Sequence, residues 1–161
     1  TLFPYTTLFR SKQVIEGNLD VQIDTALALL KNHIAQPSTI QGARTVLTNP
    51  SYPDEVFREL LVNACVHRNY AINGSRIRVQ MFTDRIEFLS PGRLPNTITI
   101  EKVAHGVSYA VNPVIVKFME NMRYIDKLGR GLPTVVQAAK ALGRVAVFEE
   151  IGEEFKVTLP L

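Results

Sequence analysis

In residues 59–70, ELLVNACVHRNY, the polar side chains Glu59, Asn63 and His67 recur every four residues within an otherwise apolar segment. On a helix, at about 100° per residue, they fall within an arc of roughly 80°. Val56, Leu60 and Ala64 border that arc on one side, and Val62 and Val66 on the other. The solvated direction, around Arg58 and Asn69, lies nearly opposite, so the stripe faces a concave or partly buried place. A carboxylate or amide in such a place needs a partner, because burying it unpaired is costly. Two sources of partners are open: an internally satisfied polar network, or a ligand. For a ligand, the Asn63 amide oxygen is a hard donor suited to Mg²⁺, and Glu59 one turn earlier can hold and polarise a water as a general base.

A second candidate is LGRGLP, residues 128–133, which puts Gly129 and Gly131 just before a predicted helix. Glycines let backbone N–H groups approach a phosphate, the helix dipole favours the anion, and Lys127 and Arg130 add positive charge. No Lys-Ser/Thr follows the second glycine, so this is not a Walker loop, and a plain tight turn stays open. A third is IEFLSPGRLP, where a strand ends in Ser90-Pro91-Gly92 and the chain continues through Leu94. Glycine there can let a flat ring approach the backbone or simply make a turn.

The elements that must position these residues follow from local pattern. Val21, Ala26, Leu27, Leu30 and Ile34 mark a helix over 18–34, and TIQGARTVL, 39–47, reads as a short strand. Ser51 and Asp54 have capping-box spacing with Pro53 in the first turn, predicting a helix to about His67 or Arg68. Residues 75–82 and 85–89 alternate apolar and polar across Thr83-Asp84, which predicts an antiparallel hairpin. TIEKVAHG reads as a short helix, and Asn112-Pro113 as N-cap and N1 of another running to about Met122. The glycine loop then leads into a helix, and VAVFEE with EFKVTLPL makes a closing hairpin around Gly152. Hairpins outnumber βαβ units, so the expected fold is α+β: a two-layer sandwich with a mostly antiparallel sheet covered by helices on one face.

Composition narrows the function classes. The 161 residues are 46% hydrophobic and 20% charged, the profile of one ordinary globular domain. No apolar run is long enough to span a membrane and no signal peptide is evident, which points to a cytoplasmic protein. The single cysteine, Cys65, excludes an internal disulfide, and His33, His67 and His105 lack zinc spacing. A net charge of +3 is too small to mark a nucleic-acid binder by itself. Residues 1–11, TLFPYTTLFRS, match the translation of a common sequencing adapter and are read as a non-native scar.

The order of these pieces (YPDEVFRELLVNACVHRNY, DRIEFLSPGRLP, NPVIVKFMENMRYIDKLGRG and EFKVTLPL) resembles the Bergerat (GHKL) ATP-binding fold shared by gyrase, the ninety-kilodalton heat-shock chaperone, histidine kinases and MutL. It is most similar to the domain labelled ATP-dependent DNA helicase RecG-related, C-terminal, which commonly follows a Schlafen/AlbA-type DNA-binding domain. The resemblance implies that residues 12–20 are the remnant of a missing upstream domain and 21–161 the ATP-binding domain. It implies ATP and Mg²⁺ as ligands, with Asn63 on the metal and Glu59 activating the hydrolytic water. It places His67 and Arg68 at the nucleotide pocket, Ser90, Gly92 and Leu94 near the adenine, and Lys127, Gly129, Arg130, Gly131 and Leu132 at the phosphates. The chain departs from that pattern with Ser90 where the wider superfamily has Asp, with Asn69, Val111 and Asp126 at family positions, and without a second glycine near Leu94.

The function expected is an Mg²⁺-dependent ATP-binding module, or slow ATPase, serving as nucleotide switch for a DNA-binding transcriptional regulator whose DNA contacts lie upstream. The alternative is a degenerate fold used for homodimerisation or as a scaffold. Direct DNA binding by this segment is the third reading. Helicase activity is not implied, since neither a P-loop nor a motor-domain length is present.

Overall fold

A computed structural model describes residues 12–34, 51–107, 109–125 and 131–161. The strand expected over 39–47, the segment 1–11 and the loop residues 126–130 lie outside them. The described elements are α1 (Leu19–Ile34), α2 (Asp54–His67), β1 (Arg78–Met81), β2 (Arg85–Pro91), α3 (Ile100–Ala104), α4 (Pro113–Asn121), α5 (Gly131–Ala141), β3 (Val147–Ile151) and β4 (Glu154–Pro160). The strands form one antiparallel sheet in the order β1-β2-β4-β3.

The two-residue period of the strands makes this a two-layer sandwich. Ile86 and Phe88 of β2 stand opposite Leu159 and Val157 of β4, and Phe148 of β3 also faces Val157. All five are buried and join side chains from α1, α2 and α5 in one core. Intervening positions on the other face include Glu87, Thr158, Glu149 and Lys156, the last two paired at 2.8 Å. One apolar and one polar face is what a sheet covered by helices on one side requires. This is the α+β sandwich that the sequence predicts.

Helix α2 lies at the centre. Eight of its residues are buried, Val56, Phe57, Leu60, Leu61, Val62, Ala64, Cys65 and Val66, because α1 and α5 flank it and β2 lies beneath it. Burial pushes the Cys65 thiol up to about 11, so it behaves as a packing residue rather than a nucleophile.

Two helix N-termini differ from the sequence expectation, while α4 ends where expected, with Met122 as its C-cap. Pro53 is the N-cap of α2, not its first helical residue, and no side chain caps that end. Asp54 is turned instead to Lys31 of α1, with Oδ2 2.5 Å from Nζ. Pro113 does occupy N1 of α4, but Asn112 does not cap that helix; its Nδ2 donates to the carbonyls of Val66 and Arg68, each at 2.7 Å. Those carbonyls belong to the end of α2, where the last helical oxygens lack intrahelical donors. Finally, α4 ends in a Schellman motif: Tyr124 N–H donates to Met119 and Arg123 N–H to Glu120, with Arg123 at φ 61° where glycine is usual.

Candidate functional site

Two of the three stripe residues of α2, Asn63 and His67, line a cleft between α2 and the sheet, while Glu59 does not line it. Ser90, Gly92 and Arg93 line it from the end of β2, Phe155 and Val157 from β4, and Tyr109 from the α3–α4 connection. The cleft is narrow, with about 20 Å³ that a water could occupy, and it opens to solvent. Its walls are largely apolar with a few polar atoms, the usual make-up of a small-molecule site.

Glu59 and Asn63 are partly buried one helical turn apart. Burial raises the Glu59 carboxyl above its ordinary range, and a hydrogen bond with the Asn63 side chain opposes that shift. Since an ionised carboxylate only accepts, Asn63 Nδ2 is the donor and Oδ1 takes no part in that bond. Gly131, the first residue of α5, sits directly against this pair. A Cβ built on it would overlap Glu59 Oε1 and stand 3.2 Å from Glu59 Cδ and 3.8 Å from Asn63 Nδ2. Any larger residue at the start of α5 would therefore displace the Glu59 carboxylate from this position.

His67 lines the cleft with its ring 4.4 Å from that of Tyr109, tilted by 40°. Its Nδ1 is buried without a partner, and burial lowers its pKa to about 4, so the imidazole is neutral near neutral pH. Ser90 is buried, and its hydroxyl donates to the Ala64 carbonyl at 2.8 Å, fastening β2 to α2. Its one proton is used in that bond, and its oxygen keeps acceptor capacity.

Gly92 has φ 125°, and an added Cβ would stand 3.0 Å from Asn69 N and Cβ. Its N–H donates to Glu153 at 2.7 Å, and Asn69 N–H donates to Pro91 at the same distance. This glycine therefore lets the chain leaving α2 cross the end of β2.

Two of the sequence candidates lie away from the cleft. Arg68 points to the side, with Nη2 donating to Ser75 O at 2.8 Å and its guanidinium 4.7 Å over the Tyr70 ring. Leu94 is buried in the core, and its amide donates to Glu150 Oε1 at 2.7 Å. Leu132 is buried too, so only its backbone is available for a ligand. Lys127, Gly129 and Arg130 lie outside the described residues.

Sequence reasoning missed Tyr109, Arg93 and Phe155. Of these only Arg93, adjoining Pro91-Gly92, stood beside a recognisable signal. The others reach the cleft through sheet register or a loop crossing.

Among the described residues, no group of three or more His, Cys, Asp or Glu could cage a metal, and no helix is long and apolar enough to cross a membrane. No curated protein matches the sequence. The crystal structure of the DIP2311 protein from Corynebacterium diphtheriae is similar, with a TM-score of 0.74 at 28% sequence identity. The match covers 90% of this chain and 28% of that one, so this chain spans little more than a quarter of that protein's length. Residues 74–159, from the turn before β1 to the end of β4, match the family described as "Putative ATP-dependent DNA helicase recG C-terminal". That span is more than half of the sequence, and the chain belongs to this ATPase-like domain family.

Proposed function

We propose that this chain binds ATP with Mg²⁺ in the cleft beside α2 and serves as the nucleotide switch of a DNA-binding regulator. The observation that carries the reading is the meeting of Glu59, Asn63 and Gly131: a carboxylate, an amide and the start of a helix at one point. The first N–H groups of a helix lack intrahelical partners and attract phosphate, so Gly131 and Leu132 would present their amides to the phosphate chain.

The donor set fits Mg²⁺ in the mode where the protein gives one or two oxygens and the substrate phosphates and water give the rest. Asn63 Oδ1 would hold the ion, with its orientation fixed by the Nδ2 hydrogen bond to Glu59. When bound, the ion supplies neutralisation of phosphate charge. Glu59 would accept the proton of an attacking water, and burial makes its carboxylate a stronger base than a solvated one. At the other end, Ser90 Oγ offers an acceptor to the adenine amino group, weaker than a carboxylate.

Titrating Mg²⁺ and ATP into the protein by calorimetry, with phosphate release assayed alongside, tests this reading. Binding that survives Glu59→Gln while turnover falls supports it. Turnover unchanged in Glu59→Gln removes Glu59 from the mechanism.

The exposed apolar stripe on α4 favours a second reading, a non-catalytic association module. Val114, 82% exposed, stands there with Phe118 and Met122. No heat and no thermal shift at millimolar nucleotide would select that reading.

A further inference from the structure

Tyr109 lines the cleft yet belongs to none of the elements that carry the polar stripe or the glycines. Its place is set by tertiary contacts on two sides. Three residues later, Asn112 donates to the Val66 and Arg68 carbonyls, which pins the α3–α4 connection to the end of α2 and lays the Tyr109 ring on His67. On the sheet side, Glu150 of β3 accepts from Leu94 N–H and stands 4.0 Å from Arg93 Nε, holding the loop after Gly92. The phenol of Tyr109 feels the same Glu150 carboxylate.

An aromatic surface therefore borders the same cleft as the Phe88 and Phe155 rings and the Ser90 hydroxyl. Flat rings are recognised by such aromatic walls with one or two polar atoms at the edge. Asn63 lines the cleft too, and one turn earlier, outside the cleft lining, Glu59 meets Gly131 at the start of α5, a place that suits charge instead.

We propose that Tyr109 is a specificity-determining residue that stacks on the nucleobase, and that Asn112 is the positioning residue that holds it in place. This rests on the ATP reading above and deepens it: the cleft at Tyr109 takes the base, and the adjoining Glu59–Gly131 contact takes the phosphates without involving Tyr109.

The test compares ATP with inorganic tripolyphosphate, both with Mg²⁺, on the 161-residue chain. Tyr109→Leu keeps apolar bulk without a π-face, and Tyr109→Phe keeps the ring. The expected result is about a tenfold loss of ATP affinity in Tyr109→Leu, within the range for one base–aromatic stack. Tripolyphosphate affinity should be unchanged, and Tyr109→Phe should behave as wild type towards both ligands. Asn112→Ala should show the same ATP-selective loss, whereas a merely structural role would weaken both ligands together. Equal loss of both ligands in Tyr109→Leu, or wild-type ATP affinity, overturns the assignment while leaving the ATP reading intact. Wild-type protein that binds neither ligand overturns the ATP reading and this one with it.

Discussion

Gly131 and Glu59, 72 positions apart, are packed so that the glycine's missing Cβ is the space the Glu59 carboxylate fills. A methyl group there must push that carboxylate aside, while the helical backbone tolerates alanine well. Gly131→Ala is therefore expected to leave the melting temperature within a few degrees of wild type and to lower ATP turnover at least about tenfold, since misplacing a catalytic group is costly. Paired thermal melts and phosphate-release assays check this. Wild-type turnover in the variant would mean that Glu59 needs no fixed position.

Asn63 donates to Glu59, and in the proposed site its Oδ1 holds the cation. Asn63→Ala removes both functions, and nucleotide affinity in Mg²⁺ should fall by about tenfold or more, with a smaller loss in EDTA. Calorimetry under the two conditions reads the difference. An equal loss with and without Mg²⁺ assigns Asn63 to the fold and not to the metal.

His67 gives a pH signature. Its folded pKa is lowered to about 4 from 6.5. Between those values the unfolded chain takes up a proton that the folded chain refuses, so stability is lost as pH falls from about 6.5 to 4. The total from this group is on the order of 3 kcal/mol. Urea melts of wild type and His67→Gln at pH 7, 5.5 and 4.5 should show the wild type losing stability faster on acidification. Parallel pH profiles would mean that His67 titrates normally in the fold.

Arg123 occupies the left-handed position of a Schellman motif at φ 61°. A non-glycine residue pays roughly 1–2 kcal/mol for that conformation, offset in part by the entropy glycine loses on folding. Arg123→Gly should stabilise the chain by about 0.5–1 kcal/mol and raise Tm by about 2–4 °C. A lower Tm would show that the Arg123 side chain contributes more than its backbone costs.

Gly92 is the opposite case. It combines φ 125° with 3.0 Å to the Asn69 backbone nitrogen, and neither can relax by moving a flexible side chain. Gly92→Ala is expected to destabilise by about 1–3 kcal/mol in chemical denaturation, consistent with strained backbone positions. A cost below about 0.5 kcal/mol would mean that the crossing of Asn69 over β2 is pliable.

Much of the fold was legible in the sequence because its cues are local. The alternation in 75–82 and 85–89 gave the β1–β2 hairpin, and the apolar repeat over 18–34 gave α1. The polar stripe of α2 was legible for the same reason, since four-residue spacing fixes a shared helix face whatever surrounds it. Asn112-Pro113 was legible only by half. Pro113 acts locally and starts α4 as expected, but the Asn112 amide bonds to the end of α2 because those carbonyls lie within reach only after the chain has folded. Arg123 was not legible as the left-handed residue after α4, because nothing in its side chain signals that backbone conformation.

By itself, then, the sequence determined the elements, the face that Glu59, Asn63 and His67 share, and the glycines able to approach it, all consequences of backbone periodicity between near neighbours. Only the tertiary structure decided which of these meet. The packing of α5 against α2 seats Gly131 on Glu59, the Asn112 bonds lay Tyr109 over His67, and Arg68 and Leu94 are drawn away by Ser75 and Glu150. Those outcomes depend on which distant donors, acceptors and surfaces are brought within contact range, and no spacing along the chain encodes that.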